Sequence, residues 1–127
     1  MSNNNNQRPV FLNLFLIRLP VTGVASIAHR ISGAILLLLV PLLLYGLQLS
    51  LRGPEDFARV TGWLDQTWVR LAAIPVVWAL AHHFFAGIRF LLMDLDCGLN
   101  VNTARVSAWL VLAAGAVTAL VAAGCLL

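Results

Sequence analysis

Two short clusters hold most of the side chains in this 127-residue chain that could do chemistry in an apolar setting. The first is Ser26-Ile27-Ala28-His29-Arg30, followed by Gly33. On a helix Ser26, Arg30 and Gly33 stand at i, i+4 and i+7 and share one face, which His29 borders. A hydroxyl, an imidazole and a guanidinium then converge. Such a set can donate to the carbonyl oxygens of a quinone headgroup and stabilise the negative charge that reduction places on it. It can equally grip the propionates of a haem. It can also exist without any ligand, with Arg30 reaching out to lipid headgroups and His29 capping the interface. The spacing leaves these readings open.

The second cluster is His82-His83-Phe84-Phe85-Ala86-Gly87-Ile88-Arg89, closed by Asp94. A neutral imidazole ligates haem iron well, and a porphyrin is a flat apolar body that suits a helix bundle. Gly87 lies one turn beyond His83 on the same face, where a missing side chain lets a large ring approach. His82 points about 100° away, so the two histidines cannot share one iron from this helix. Against ligation stands the plainer alternative that His83 bonds a neighbouring helix's backbone. No His-Glu-x-x-His zinc pattern, phosphate-cradling glycine loop or nucleophile elbow is present. No carboxylate falls in the middle of an apolar run, which disfavours a proton pump or ion channel.

The elements that carry these clusters follow from composition. Hydrophobic residues make up 61% and charged residues 10%, against roughly 45–50% and 25% in soluble domains. So small a globule cannot hide that much apolar surface, whereas a bilayer can act as its solvent. The reading is an all-α integral membrane protein with three transmembrane helices and an interfacial N-terminal segment. The chain is taken as a single anchor domain over 1–127, with helix I at 25–50, helix II at 68–93 and helix III at 106–127.

Residues 1–24 are expected outside the bilayer core or along its surface, because Arg8, Pro9, Arg18 and Pro20 break the apolar run. Pro41 inside helix I is tolerable in a membrane and a candidate kink. Residues 51–66 contain Gly-Pro and three of the five acidic residues, and predict a loop with a short amphipathic helix over 54–63. Trp63 and Trp68 suit an aromatic belt. Residues 94–105 read as a polar loop, and the Ala, Gly and Val of the last run suit close helix packing.

All eight basic side chains are arginine. They form no cluster interleaved with aromatics, so no nucleic-acid partner is expected. Arg8, Arg18, Arg30, Arg89 and Arg105 fall on one side of the predicted topology. Arg52, Arg59 and Arg70 fall on the other, offset by Glu55, Asp56 and Asp65. Five against three predicts a cytoplasmic N-terminus and a periplasmic C-terminus. The asparagine-rich start fits neither a secretory signal nor a mitochondrial presequence, which favours a bacterial inner membrane. Cys97 and Cys125 lack metal-ligand spacing and are expected at opposite faces, so no disulfide is expected.

Taken together, Arg8-Pro9, Ser-Ile-x-His-Arg-x-Ser-Gly at 26–33 and His-x-x-x-Gly-Ile-Arg at 83–89 with Asp94 resemble the cytochrome b membrane-anchor subunit of succinate dehydrogenase, respiratory complex II. The resemblance covers nearly the whole chain. It implies an anchor that binds haem b and helps form the ubiquinone site, passing electrons from an iron–sulfur subunit to quinone. The implied partners are a second small anchor subunit, the iron–sulfur subunit and a flavoprotein subunit, which alone carry the iron–sulfur clusters and FAD. No succinate-oxidising site lies in this chain itself.

By the same resemblance His83 is the haem axial ligand, and His29 and Arg30 lie near the haem propionates. Ser26 and Arg30 line the quinone site, and Asp94 belongs to a proton path. One departure from the family pattern is Phe90, where many relatives have a second histidine after Gly-Ile-Arg. His82 receives no role. The alternative is a haem-free structural anchor of a fumarate-reductase-like complex.

Overall fold

The computed structural model describes residues 18–127, and these form four helices with no strand among them. Helix α1 spans Val21–Ser50, α2 Pro54–Leu64, α3 Thr67–Asp94 and α4 Val101–Leu126. Three of these, of 30, 28 and 26 residues, are long and apolar enough to cross a membrane. The expected all-α, three-span architecture is the one observed. Most of the expected interfacial segment lies outside the described residues, and its last four residues, from Val21, already belong to α1.

Local chemistry explains the boundaries. Pro20 precedes α1 in extended conformation, and its carbonyl accepts from the N–H groups of Gly23 and Val24 at 2.9 and 3.1 Å. Pro54 opens α2 at a position where its missing N–H is harmless, and Glu55 and Asp56 sit against the positive end of the helix dipole. Helix α4 starts five residues before the expected 106. The side chain of Asn100 accepts from Thr103 N at 2.9 Å, so a stretch that is polar enough to read as loop is captured as the first turn of a helix. Asp96 (φ 60°) and Gly98 (φ 79°) adopt left-handed conformations and reverse the chain between α3 and α4. Helices α1 and α3 continue through Pro41 and Pro75.

Helix α3 packs against both other spans, most extensively against α4 and next against α1. Its stripe Ala79, His82, Ala86 and Arg89 is buried, and α4 answers with Ala108, Val111 and Gly115. The core is therefore made of small or polar side chains, while leucines such as Leu37, Leu38 and Leu120 are left more than 70% exposed. That distribution suits a protein whose solvent is lipid. Leucine gains nothing by leaving acyl chains, so small residues that permit close backbone approach occupy the seams. Trp63 and Trp68 are exposed where α2 meets α3, at the level of an aromatic belt.

Gly115 shows how tight the α3–α4 seam is. A Cβ there would lie 3.1 Å from the Cβ of His82 and 3.4 Å from Trp78 Nε1. Gly115→Val is expected to destabilise the helix bundle by about 1–3 kcal/mol through overpacking. The measurement is the apparent unfolding midpoint of the detergent-solubilised protein. Gly124→Val, with nothing within 4 Å of its added Cβ, is the control and should leave that midpoint unchanged.

Candidate functional site

The two sequence clusters meet between α1 and α3. On α1 the inward stripe is Ala25, His29 and Ser32, with Ala25 and Ser32 buried. On α3, beside the buried seam, a second stripe of His83, Gly87 and Phe90 turns toward α1. The imidazoles of His29 and His83 stack with centroids 4.1 Å apart and planes 9° from parallel. A Cβ on Gly33 would come 3.0 Å from His83 Cε1, and one on Gly87 would come 3.9 Å from His29 Nε2. Each histidine therefore rests over a glycine of the facing helix. Gly87, singled out in the sequence as room for a large ring beside His83, in this arrangement makes room for His29.

The hydrogen bonds around His83 determine which of its nitrogens carries the proton. Ser32 Oγ donates to the carbonyl of His29 at 2.8 Å. His83 Nδ1 lies 3.2 Å from that same carbonyl oxygen and 3.2 Å from Ser32 Oγ. The carbonyl can only accept, and the hydroxyl has already spent its proton, so Nδ1 must be the donor to both. The neutral form of His83 is then the Nδ1–H tautomer, with a lone pair on Nε2. Among the described residues Nε2 makes no hydrogen bond, and it is not among the buried atoms left without a partner. The two readings left open for His83 describe opposite ends of one ring. Nδ1 bonds the neighbouring backbone, and Nε2 is free to act as a ligand.

His82, for which sequence reasoning had no use, is fully buried on the central seam. Its Nε2 lies 3.4 Å from Ala25 O on α1, its ring stacks on Trp78 at 5.4 Å, and Gly115 of α4 closes over it. It touches all three spans and acts as a structural clamp. The available signal was its position on the Ala79-His82-Ala86 stripe.

Ser32 was also passed over as a contributor, although it stands one turn after His29. Ser26 is half-buried and Arg30 exposed on the neighbouring face of α1, and neither bonds to the histidine pair. Asp94 ends α3, exposed and without an ion pair among the described residues. Phe90, at the position of the departure, packs its ring against His29 with centroids 5.1 Å apart.

A family model described as succinate dehydrogenase/fumarate reductase transmembrane subunit matches residues 4–122. This chain belongs to that family. Among similar proteins, the succinate dehydrogenase cytochrome b556 subunit of Coxiella burnetii is 39% identical over 108 residues, covering 84% of this chain and 86% of the relative. The subunit of the same name from Paracoccus denitrificans is 31% identical over 117 residues, covering 91% and 89%. That of Rickettsia felis is 26% identical over 106 residues, covering 84% and 82%. The family and the three apolar helices make this a multi-pass membrane protein.

The tautomer of His83 is directly measurable. In lipid bilayers, solid-state NMR of the protein labelled with 15N-histidine should show the neutral ring of His83 with its proton on Nδ1 rather than Nε2. A proton on Nε2 would overturn the assignment. Ser32→Ala removes one acceptor but leaves the His29 carbonyl, so the same tautomer is expected to persist.

Proposed function

We propose that this chain is a haem b- and quinone-binding membrane anchor of succinate:quinone oxidoreductase, in a bacterial inner membrane with its N-terminus cytoplasmic. The observation that carries the haem part is the state of His83. A metal-bound histidine commonly donates its other ring N–H to a carbonyl or hydroxyl, which fixes the tautomer and raises the basicity of the ligating nitrogen. His83 already makes that bond with Nδ1, and its Nε2 is unbonded. The residue stands eleven positions from the end of α3, about 16 Å along the helix, and so near the middle of a roughly 30 Å hydrocarbon core. The residues present fit the group. The similar cytochrome b556 subunits support the same reading.

His83 Nε2 would ligate the iron from this chain, while His29 and Arg30 would hold the propionates and orient them toward one membrane face. When bound, the haem supplies a one-electron store close to the quinone. A second ligand would come from the partner anchor subunit. Ser26 lies five residues from the start of α1, about 7–8 Å in, at a depth where a quinone headgroup can be met from the hydrocarbon side. Its hydroxyl donates to a quinone carbonyl oxygen, and the Arg30 guanidinium raises the local positive potential as that oxygen gains electron density. The two electrons come from the iron–sulfur subunit, which receives them from the flavoprotein subunit. Two protons enter from the aqueous side, and Asp94, at the exposed end of α3, is placed to pass them on.

His83→Ala should remove most of the b-type absorbance from the assembled complex. An unchanged reduced-minus-oxidised spectrum overturns the ligand assignment, and a colourless wild-type complex would favour a haem-free anchor instead. Arg30→Leu should lower quinone reduction about ten- to a hundredfold, which is what one hydrogen bond to a charged group contributes. Succinate oxidation by an artificial dye acceptor should persist in that variant. Equal loss of both activities would mean that Arg30 serves assembly rather than the quinone.

A further inference from the structure

Arg89 is the charged side chain that the proposed haem and quinone chemistry leaves unused. It is only 6% exposed. Its Nε donates to Ser107 Oγ at 2.9 Å and its Nη2 to Ala104 O at 3.2 Å, both on α4. These neutral acceptors orient the guanidinium without neutralising it. The described residues include every carboxylate side chain of the chain, and none of them pairs with Arg89; the two ion pairs present join Asp56 to Arg59 and Asp65 to Arg70. Among the described residues Nη1 makes no hydrogen bond, and it is not sealed off from its surroundings.

Burying an arginine at the centre of a spanning helix costs about 2.5–3.5 kcal/mol on insertion scales. Arg89 sits five residues from the end of α3, about 7–8 Å along the axis, which is close to the headgroup level. The first turn of α4 brings the positive end of its dipole to the same level.

Beside this cation lies a cavity of about 560 Å³ between α3 and α4. Its lining includes Phe85, Leu92, Leu110, Val111 and Ala114 along with Arg89. On α4 it runs from Thr103 to Ala114, eleven residues or about 16 Å, roughly one leaflet of a 30 Å hydrocarbon core. Leu110 on its rim, nine residues into α4, is exposed at the depth of the acyl chains. An apolar groove one leaflet deep, with an uncompensated guanidinium near its headgroup end, has the shape and charge of a phospholipid.

We propose that this groove binds one anionic phospholipid, with its phosphate on Arg89 and an acyl chain between α3 and α4. The site is separate from the histidine pair. Arg89 shares the His82 face of α3 and looks toward α4, whereas His83 looks toward α1. Arg89 also stands over the ring of Phe90, its Cζ 5.3 Å from the centroid, and Phe90 in turn packs against His29.

The test is native mass spectrometry of the detergent-purified complex, delipidated and then titrated with dioleoyl phosphatidylglycerol, dioleoyl phosphatidylcholine or inorganic phosphate. One phosphatidylglycerol per copy of this chain should be retained, at least tenfold more tightly than phosphatidylcholine, whose own cation offsets its phosphate. Arg89→Met should abolish that preference. Ala114→Phe keeps the bonds of Arg89 to Ser107 and Ala104 but fills the acyl part of the groove. It should lower phosphatidylglycerol retention while leaving the haem spectrum intact, and it decides the matter where Arg89→Met fails to assemble. Equal retention of both lipids by the wild type overturns the proposal. So does displacement of phosphatidylglycerol by millimolar inorganic phosphate, or retention undiminished in both variants. Loss of haem in His83→Ala with lipid retention unchanged would separate this site from the proposed redox function.

Discussion

A spanning helix satisfies its own backbone but leaves its polar side chains to find partners inside the bundle, because lipid offers none. That constraint organises this protein. Thr118 returns its hydroxyl to Ala114 O at 2.8 Å, Ser107 returns its own to Ala104 O at 3.1 Å, and Ser32 does the same to His29 O. Each folds a small polar group back onto its own helix. The larger groups have to reach across. His82 reaches α1, His83 reaches the turn around His29 and Ser32, and Arg89 reaches α4. The hydrogen bonds between spanning helices thus come from the two histidines and the buried arginine of α3.

Close approach is what makes those bonds possible. Gly33 and Gly115 lie so near His83 and His82 that a single added methyl group would force the ring to give by a few tenths of an ångström, and alanines fill most of the remaining seam. Interhelical hydrogen bonds in membranes contribute on average only about 0.6 kcal/mol each, so they orient the rings more than they hold the bundle together. Packing of small residues supplies the cohesion. The buried polar atoms left without a partner, His29 Nε2 and His82 Nδ1, belong to rings held by stacking and steric fit.

The functional groups are also polarised along the bundle. Ser26, His29 and Arg30 stand near the start of α1, Arg89 and Asp94 near the end of α3, and Arg105 near the start of α4, all at one end. The arginines of that end make no ion pairs among the described residues, whereas Arg59 and Arg70 at the opposite end are paired with Asp56 and Asp65. Exposed pairs of that kind contribute little stability, but with Glu55 they offset all three arginines of their end, Arg52, Arg59 and Arg70.

Much of the architecture is written locally. Apolar runs of spanning length, Gly53-Pro54 ahead of a short amphipathic helix, and tryptophans at 63 and 68 are all properties of contiguous sequence, and helices are held by contacts within a few residues. The histidines and arginines inside those runs were legible as candidates because lipid makes each one costly. The N-terminal turn of α4 was less legible, since a single Asn100 cap outweighs the loop-like composition around it.

What sequence could not assign was the partner of each ring. His82 and His83 are adjacent, and only the crossing of three helices makes one a clamp among Ala25, Trp78 and Gly115 and gives the other a proton on Nδ1. The same crossing turned Gly87 toward His29 and aimed Arg89 into a groove with no carboxylate. Residue type and periodicity determine which face a side chain occupies. Its protonation, its hydrogen-bond partner and the space before it are set by residues fifty or more positions away in the case of His83 and His82, so only the folded bundle decides them.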